Sequence, residues 1–443
     1  MRRRALALGA AALAFVPATV RAEDAPGFAK DIPVGPLRAD LGAELRVRYE
    51  HNDQKSLKGY EPGTQDGFLL ERVLLNGALR SGKDARLVVQ LRDARAFGSD
   101  LGDEDFTKSN PIHDPLDVRQ AYAEWLYIGG TPLGARVGRQ SISYGDQRLF
   151  SPGQWGNTGR WAWDAAMMKV DTPWYEVDMW VGRPIENRPD RWPNRAAEGP
   201  TALVGYAKLE GLPLRLDLFH AVRYDGAGTT KGESGGGNTR RHSTGVQAEG
   251  TAWEWFGWGG TVVVQRGVNG RDTVRAYGVN AKASARLAET WEPRLTAQVT
   301  WGSGDDDPHD GVAGTFDGVF GGADMAFYGY LNIFYWPNLR DHELTFDLAP
   351  HGKLSLQTSY HYMVLSDPGD AWYSTGGKAV RQDASGASGS ELGHELDAKA
   401  VWRAWRGAEV LVAGGVFLPG AFVRATGESP RASWMTVQVA QGF

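Results

Sequence analysis

Short segments of alternating apolar and polar side chains recur throughout this chain, and the connections between them alternate as well, long then short. In 45–49, Leu45, Val47 and Tyr49 share one strand face while Arg46 and Arg48 occupy the other. Leu87, Val89 and Leu91 oppose Gln90 and Arg92. Tyr277, Val279, Ala281, Ala283, Ala285 and Leu287 oppose Asn280, Lys282, Ser284 and Arg286. Period-2 alternation predicts strands. About eighteen are predicted, near 37–50, 66–80, 83–95, 115–128, 133–143, 160–171, 174–182, 200–209, 213–223, 240–251, 257–266, 271–287, 293–302, 337–348, 353–365, 389–403, 407–418 and 432–443. Long charged side chains fall on one face throughout. A dry sandwich core could hold them only at great cost, whereas a water-filled lumen can.

The connections fix the architecture. Long ones follow odd-numbered strands (52–65, 96–114, 144–159, 183–199, 226–239, 303–336, 366–388, 419–431). Short ones follow even-numbered strands (81–82, 129–132, 172–173, 210–212, 350–352, 404–406), and 267–270 is the one short link on the long side. An all-β transmembrane antiparallel barrel has this asymmetry, with tight periplasmic turns and long extracellular loops. Trp125, Tyr127, Trp174, Tyr175, Trp253, Trp255, Trp258, Trp402 and Trp405 cluster near segment ends, as interfacial girdles do. The chain closes on a strand whose Met435, Val437, Val439 and Phe443 share a face.

Composition removes the competitors. A mean hydropathy of −0.39 excludes a bundle of membrane helices. The 17 Trp, 15 Tyr and 16 Phe exclude a disordered chain, and the absence of cysteine excludes disulfide frameworks and thiolate chemistry. Residues 1–22 read as a secretory signal: Arg2, Arg3 and Arg4, an apolar run from Ala5 to Val16, then small residues before Glu23. Losing that segment's four arginines from the 48 Lys and Arg, against 53 Asp and Glu, takes the net charge from −5 to about −9. Such a charge argues against nucleic acid as a partner. Residues 23–36 are expected to be a periplasmic N-terminal segment and 37–443 the outer-membrane barrel.

Four stretches, in order, carry a resemblance. The stretch 133–164 holds Arg136-Val137-Gly138-Arg139-Gln140, Ser143-Tyr144-Gly145-Asp146-Gln147-Arg148-Leu149, Trp155, Asn157, Arg160 and Asp164, preceded by Arg119-Gln120-Ala121-Tyr122. Further on come Gly302-Ser303-Gly304-Asp305-Asp306-Asp307-Pro308 with Thr315-Phe316-Asp317-Gly318, then Gly393-His394-Glu395-Leu396-Asp397, then Gly414 to Gly420. The chain resembles the alginate-export family of outer-membrane barrels from about residue 40 to its end. The resemblance implies an eighteen-stranded monomer conducting an anionic polysaccharide, a uronate polymer, through an arginine-lined pore.

On that reading the pore-lining candidates are Arg46, Arg48, Arg72, Arg92, Arg119, Arg139 and Arg294, with loop-borne Arg148 and Arg160, and Asp146, Asp164, Glu395 and Asp397 as counter-charges. Arginine rings attract carboxylates, and interleaved acids keep binding weak enough for passage. For each arginine the competing reading is a structural ladder pairing neighbouring strands. Glu44, Glu176, Asp178, Asp217, Asp341 and Glu343 also fall on polar faces, so the lumen is of mixed charge. The short link 403–407 leaves no room for the long periplasmic loop that gates some members of the family.

No cofactor is expected, and Asp305, Asp306 and Asp307 are the weak candidates for a structural calcium ion. Ser143 and His113 lack triad context and no P-loop is present, so an enzyme is not expected. Outer-membrane lipid and an anionic polymer or small anions are the expected partners, with periplasmic export or respiratory proteins possible by analogy. Two alternatives remain open: a diffusion porin for small anions, and a barrel that sheaths or anchors a partner protein.

Overall fold

The computed structural model describes residues 29–321 and 327–443; the signal segment 1–22 and its flank lie outside the described residues. Among the described residues, eighteen long strands form one closed antiparallel barrel. They are β1 (Leu37–Ser56), β2 (Gly59–Ser81), β3 (Ala85–Phe97), β4 (Asp114–Trp125), β5 (Leu133–Gln140) and β6 (Trp163–Asp171). Next come β7 (Tyr175–Glu186), β8 (Pro200–Leu209), β9 (Arg215–Gly232), β10 (Gly235–Trp253), β11 (Phe256–Asn269) and β12 (Asp272–Arg286). The last six are β13 (Arg294–Gly302), β14 (Leu339–His351), β15 (Leu354–Leu365), β16 (Glu391–Trp405), β17 (Ala408–Pro419) and β18 (Ala432–Gly442). Closure comes from β1 pairing with β18 through Val47↔Val439 and Tyr49↔Val437, which leaves no strand edge in the lipid. Phe443 extends that seam: its N–H donates to Ala43 O at 2.9 Å.

The apolar faces point outward, as the alternation requires. Leu45, Val47, Tyr49, Leu87, Val89, Val437 and Val439 are all exposed large hydrophobics, and Trp125, Tyr127, Trp174, Tyr175, Trp253, Trp255, Trp402 and Trp405 form an exposed girdle at the short-turn end. No helix is long and apolar enough to cross a membrane.

Two expectations change, and the N-terminal segment gains a strand. The predicted long connections 52–65 and 226–239 are largely strand: β1 and β2 continue pairing to Ser56↔Gly59, and β9 and β10 to Gly232↔Gly235. Above the membrane both faces of a hairpin meet water, so pairing continues without an apolar alternation to announce it. The N-terminal segment contains a strand, Ala29–Val34, which folds back on β1 with Val34↔Leu37. Finally, the lumen is not uniformly polar. Trp163, Met167, Trp180, Tyr206 and Phe219 point inward and pack against Tyr144, Leu149, Phe150 and Phe320 from two infolded loops. Alternation on a strand identifies a face but not what fills the space beyond it.

Candidate functional site

Residues 141–162 leave β5, dip into the lumen and return to β6, and this infolding explains most of the arginines. A segment inside a barrel carries backbone carbonyls away from bulk water, and each needs a donor. Guanidinium supplies five N–H groups in a planar fork and stays charged. Arg46 donates to Gln154 O at 3.1 Å and Asn157 Oδ1 at 3.1 Å, and Arg72 donates to the same Gln154 O at 3.1 Å. Arg48 donates to Trp155 O at 2.8 Å, stacks over the Trp155 ring at 4.1 Å and pairs with Glu50 at 2.9 Å. Arg92 donates to Thr158 O and pairs with Asp114. Arg119 donates to Trp161 O at 3.0 Å and Pro152 O at 3.3 Å. All five are at most 8% exposed. At the centre Asn157, fully buried, donates to the carbonyls of Glu71, Arg95 and Ile112 at 2.9–3.0 Å, stitching the loop to the wall.

A second segment, described over 303–321 and 327–338, folds in from the β13–β14 side. Arg148, on the first loop, donates to Phe327 O at 3.3 Å and lies over the Phe327, Tyr328 and Trp336 rings. Its Nε stands 3.7 Å from Asp146, whose Oδ1 accepts the Arg148 N–H. Arg160 donates to Thr375 O at 2.9 Å and stacks on Trp161 and Tyr335. Glu395 and Asp397 on β16 accept the backbone N–H groups of Leu331 (2.8 Å) and Tyr330 (3.2 Å). Both carboxylates are buried and thus fasten the second loop to the wall.

Two predicted pore residues lie elsewhere. Arg139 and Asp164 are directly opposed across β5 and β6, on the face shared with exposed Val137 and Met168, not the face of inward Gln140 and Trp163. Arg139 there holds Asp164 at 2.9 Å and donates to Asn194 O at 2.7 Å, pinning the β7–β8 loop. A single residue of register decides this, because successive strand side chains face opposite ways. Arg294 faces the lumen at its periplasmic mouth, opposite Asp347.

Below the loops the wall carries charges that the sequence reading largely missed. Lys169 pairs with Asp178 at 2.8 Å, Lys208 with Glu176 at 2.7 Å, and Arg215 with Asp217 at 3.0 Å and Glu249 at 3.1 Å. Arg86 and Arg136 both grip Glu124 at 2.6 Å, Arg72 grips Glu44 at 2.6 Å, and Arg80 grips Asp40 at 2.7 Å. Each of these inward cations is matched to a carboxylate, on a neighbouring strand or, for Arg215, on its own strand as well. Several remain a quarter to two-fifths exposed, so they meet water, unlike the arginines above. The acids Glu44, Glu176, Asp178 and Asp217 were legible as inward; pairing their register with the neighbouring strands would have found Lys169, Lys208 and Arg215. The link from β16 to β17 is a tight turn, Trp405↔Ala408, and holds no loop at the periplasmic mouth.

Asp305, Asp306 and Asp307 do not converge. Asp305 turns inward, its N–H donating to Asp370 Oδ2 at 3.1 Å, whereas Asp306 and Asp307 are exposed. Burial, with Glu233 and Asp370 nearby, raises the Asp305 carboxyl from the usual range to about 7. Among the described residues, Asp341, Glu343 and His361 are the group whose ligand atoms lie close enough for one metal ion, and an ion pair of His361 with Asp341 at 3.0 Å already engages two of them.

Several solved porins share this architecture. The crystal structure of Acinetobacter baumannii OccAB2 matches with a TM-score of 0.61 at 10% identity, covering 91% of this chain and 98% of that one. Pseudomonas aeruginosa OccK11 (OpdR) matches at 0.58 and 12% identity over 91% and 96%. Pseudomonas aeruginosa OccK2 (OpdF), solved in complex with glucuronate, matches at 0.59 and 10% over 91% and 98%. These likenesses show the fold, an outer-membrane porin barrel. No curated protein sequence matches the chain significantly. The sequence model for alginate export matches residues 37–435, nearly the whole barrel, and with eighteen strands, outward apolar faces and a charged lumen, this protein is a bacterial outer-membrane channel that belongs to the alginate export family.

Proposed function

We propose that the channel passively conducts an anionic uronate polymer, or a related anionic solute, from the periplasmic side. The observation that carries this reading is the water-accessible set of inward Lys and Arg, each paired with Asp or Glu, beneath the infolded loops. Such cations attract carboxylates, and the paired acids compete for them, so no sugar unit is held tightly. Membership of the alginate export family supports a polymer; the glucuronate bound to the OccK2 barrel supports uronate chemistry in a neighbour of the same shape. No nucleotide-binding loop is present in the sequence, so the driving force comes from elsewhere.

A second reading, a barrel that sheaths a partner protein, draws support from how tightly the two loops pack in the upper lumen. Planar-bilayer recording separates the two. Oligouronates added at the periplasmic face are expected to block single channels, with block weakening as salt rises. The Lys169→Gln/Lys208→Gln double variant should weaken that block about 3- to 10-fold, the scale of two part-exposed charge contacts. An open channel whose block ignores both changes would remove these charges from the pathway, and a silent channel would favour the sheath.

A further inference from the structure

The outer surface carries a feature that pore function does not use. Across β9 to β12 the outward side chains fall into register rows. One row runs Val222–His242–Arg266–Arg275; the row on its extracellular side runs Tyr224–Arg240–Val268–Thr273, and the row below runs His220–Thr244–Val264–Tyr277. Arg266 stands directly opposite Arg275, beside His242, and a like-charge pair in that position is unfavourable by itself. Arg240, Arg266 and Arg275 are exposed. Among the described residues, the Arg240 and Arg275 side chains make no hydrogen bond or ion pair, and the Arg266 side chain reaches only the neighbouring Gln265 O at 2.9 Å. The outward positions of these four strands hold no carboxylate at all.

The height of the row says what it meets. Arg266 lies ten residues above Phe256 on β11, beside the Trp253 and Trp255 girdle. That is about 33 Å along the strand, or ~25 Å of height at a tilt of about 40°, the thickness of the apolar band itself. The cations therefore sit at the outer-leaflet headgroup level, flanked by Tyr224 and Tyr277. We propose that His242, Arg266 and Arg275, with Arg240 on their extracellular side, bind a phosphate of lipid A in the outer leaflet. The planar fork of guanidinium matches phosphate oxygens bidentately, and two or more such groups around one phosphate relieve their mutual repulsion. The site is independent of what passes through the pore.

Native mass spectrometry of the detergent-purified protein tests this, with bis-phosphorylated lipid A, the same lipid A stripped of phosphate, and inorganic phosphate as probes. Phosphorylated lipid A should be retained, and retention should fall at least about tenfold for dephosphorylated lipid A and for Arg266→Gln/Arg275→Gln. Equal retention of the two lipids by the unaltered protein overturns the proposal without any variant having to fold. Complete displacement by millimolar inorganic phosphate would also overturn it, since the ligand would then be the free anion and not the lipid.

Discussion

Arg46 and Arg119 show how an inward arginine can be structural rather than conductive. Each spends its donors on carbonyls of 152–161, so a passing carboxylate finds little left to bind. A hydrogen bond from a charged donor contributes about 1.5–3 kcal/mol. Arg46→Ala/Arg119→Ala should therefore shift the loop toward an outward position by on the order of 10²-fold or more, read as larger or more frequent conductance steps in single-channel recordings. Unaltered traces would show that the loop is held by its packing alone. Gly138 makes a complementary case. Its φ is +126°, and a Cβ there would meet Ala121 O at 2.3 Å and Tyr122 Cα at 2.8 Å. Gly138→Ala is expected to destabilise the β4–β5 pairing by roughly 2–4 kcal/mol, seen as a lower temperature of barrel unfolding on heat-modifiability gels.

The segment 303–321 is the element whose docking is expected to respond to pH. Asp305 is pushed up to about 7 by burial and by the Glu233 and Asp370 carboxyls. Glu233, on the β9–β10 turn, also accepts the Gly311 N–H at 3.1 Å. Because the folded value lies above the unfolded one, the docked loop holds its proton more firmly than the free chain. That contribution is complete below about pH 4 and is lost as pH rises through about 7. Limited proteolysis within 303–321 should accordingly be faster at pH 8 than at pH 6, and Asp305→Asn should flatten the difference. A pH response unchanged in the variant would assign it to another group. The same loop shows where sequence reading stopped: the acidic run looked like one cluster, yet the turn sends Asp305 to Asp370, 65 residues on, and leaves its two neighbours in water.

For the molecule as a whole, the closing strand is decisive. β18 pairs with β1 on one side and β17 on the other. Removing 432–443 would leave two unpaired edges in lipid, where each unsatisfied backbone group costs several kcal/mol. Such a truncation should abolish the heat-modifiable, folded band and leave the chain outside the membrane fraction. Recovery of a folded seventeen-strand barrel would contradict the closure described here. At this scale the prediction from sequence was nearly complete. All eighteen predicted segments correspond to strands, and the tight turns fall where expected, because lipid outside and water inside impose one rule on every strand.

What the sequence determined by itself was the wall: strand number, facing, girdles and the sidedness of the connections all follow from a period of two read against two solvents. What only the tertiary structure decided was the lumen. Arg46, Arg92 and Arg119 look alike in sequence to Lys169 and Arg215, yet the first three clasp an infolded loop while the last two meet water. The difference lies in loops that return into the barrel from far along the chain, as Arg148 meeting Phe327 does. Local alternation carries no record of such partners, since a loop's path is set by how much space the closed wall encloses and by which carbonyls find donors there.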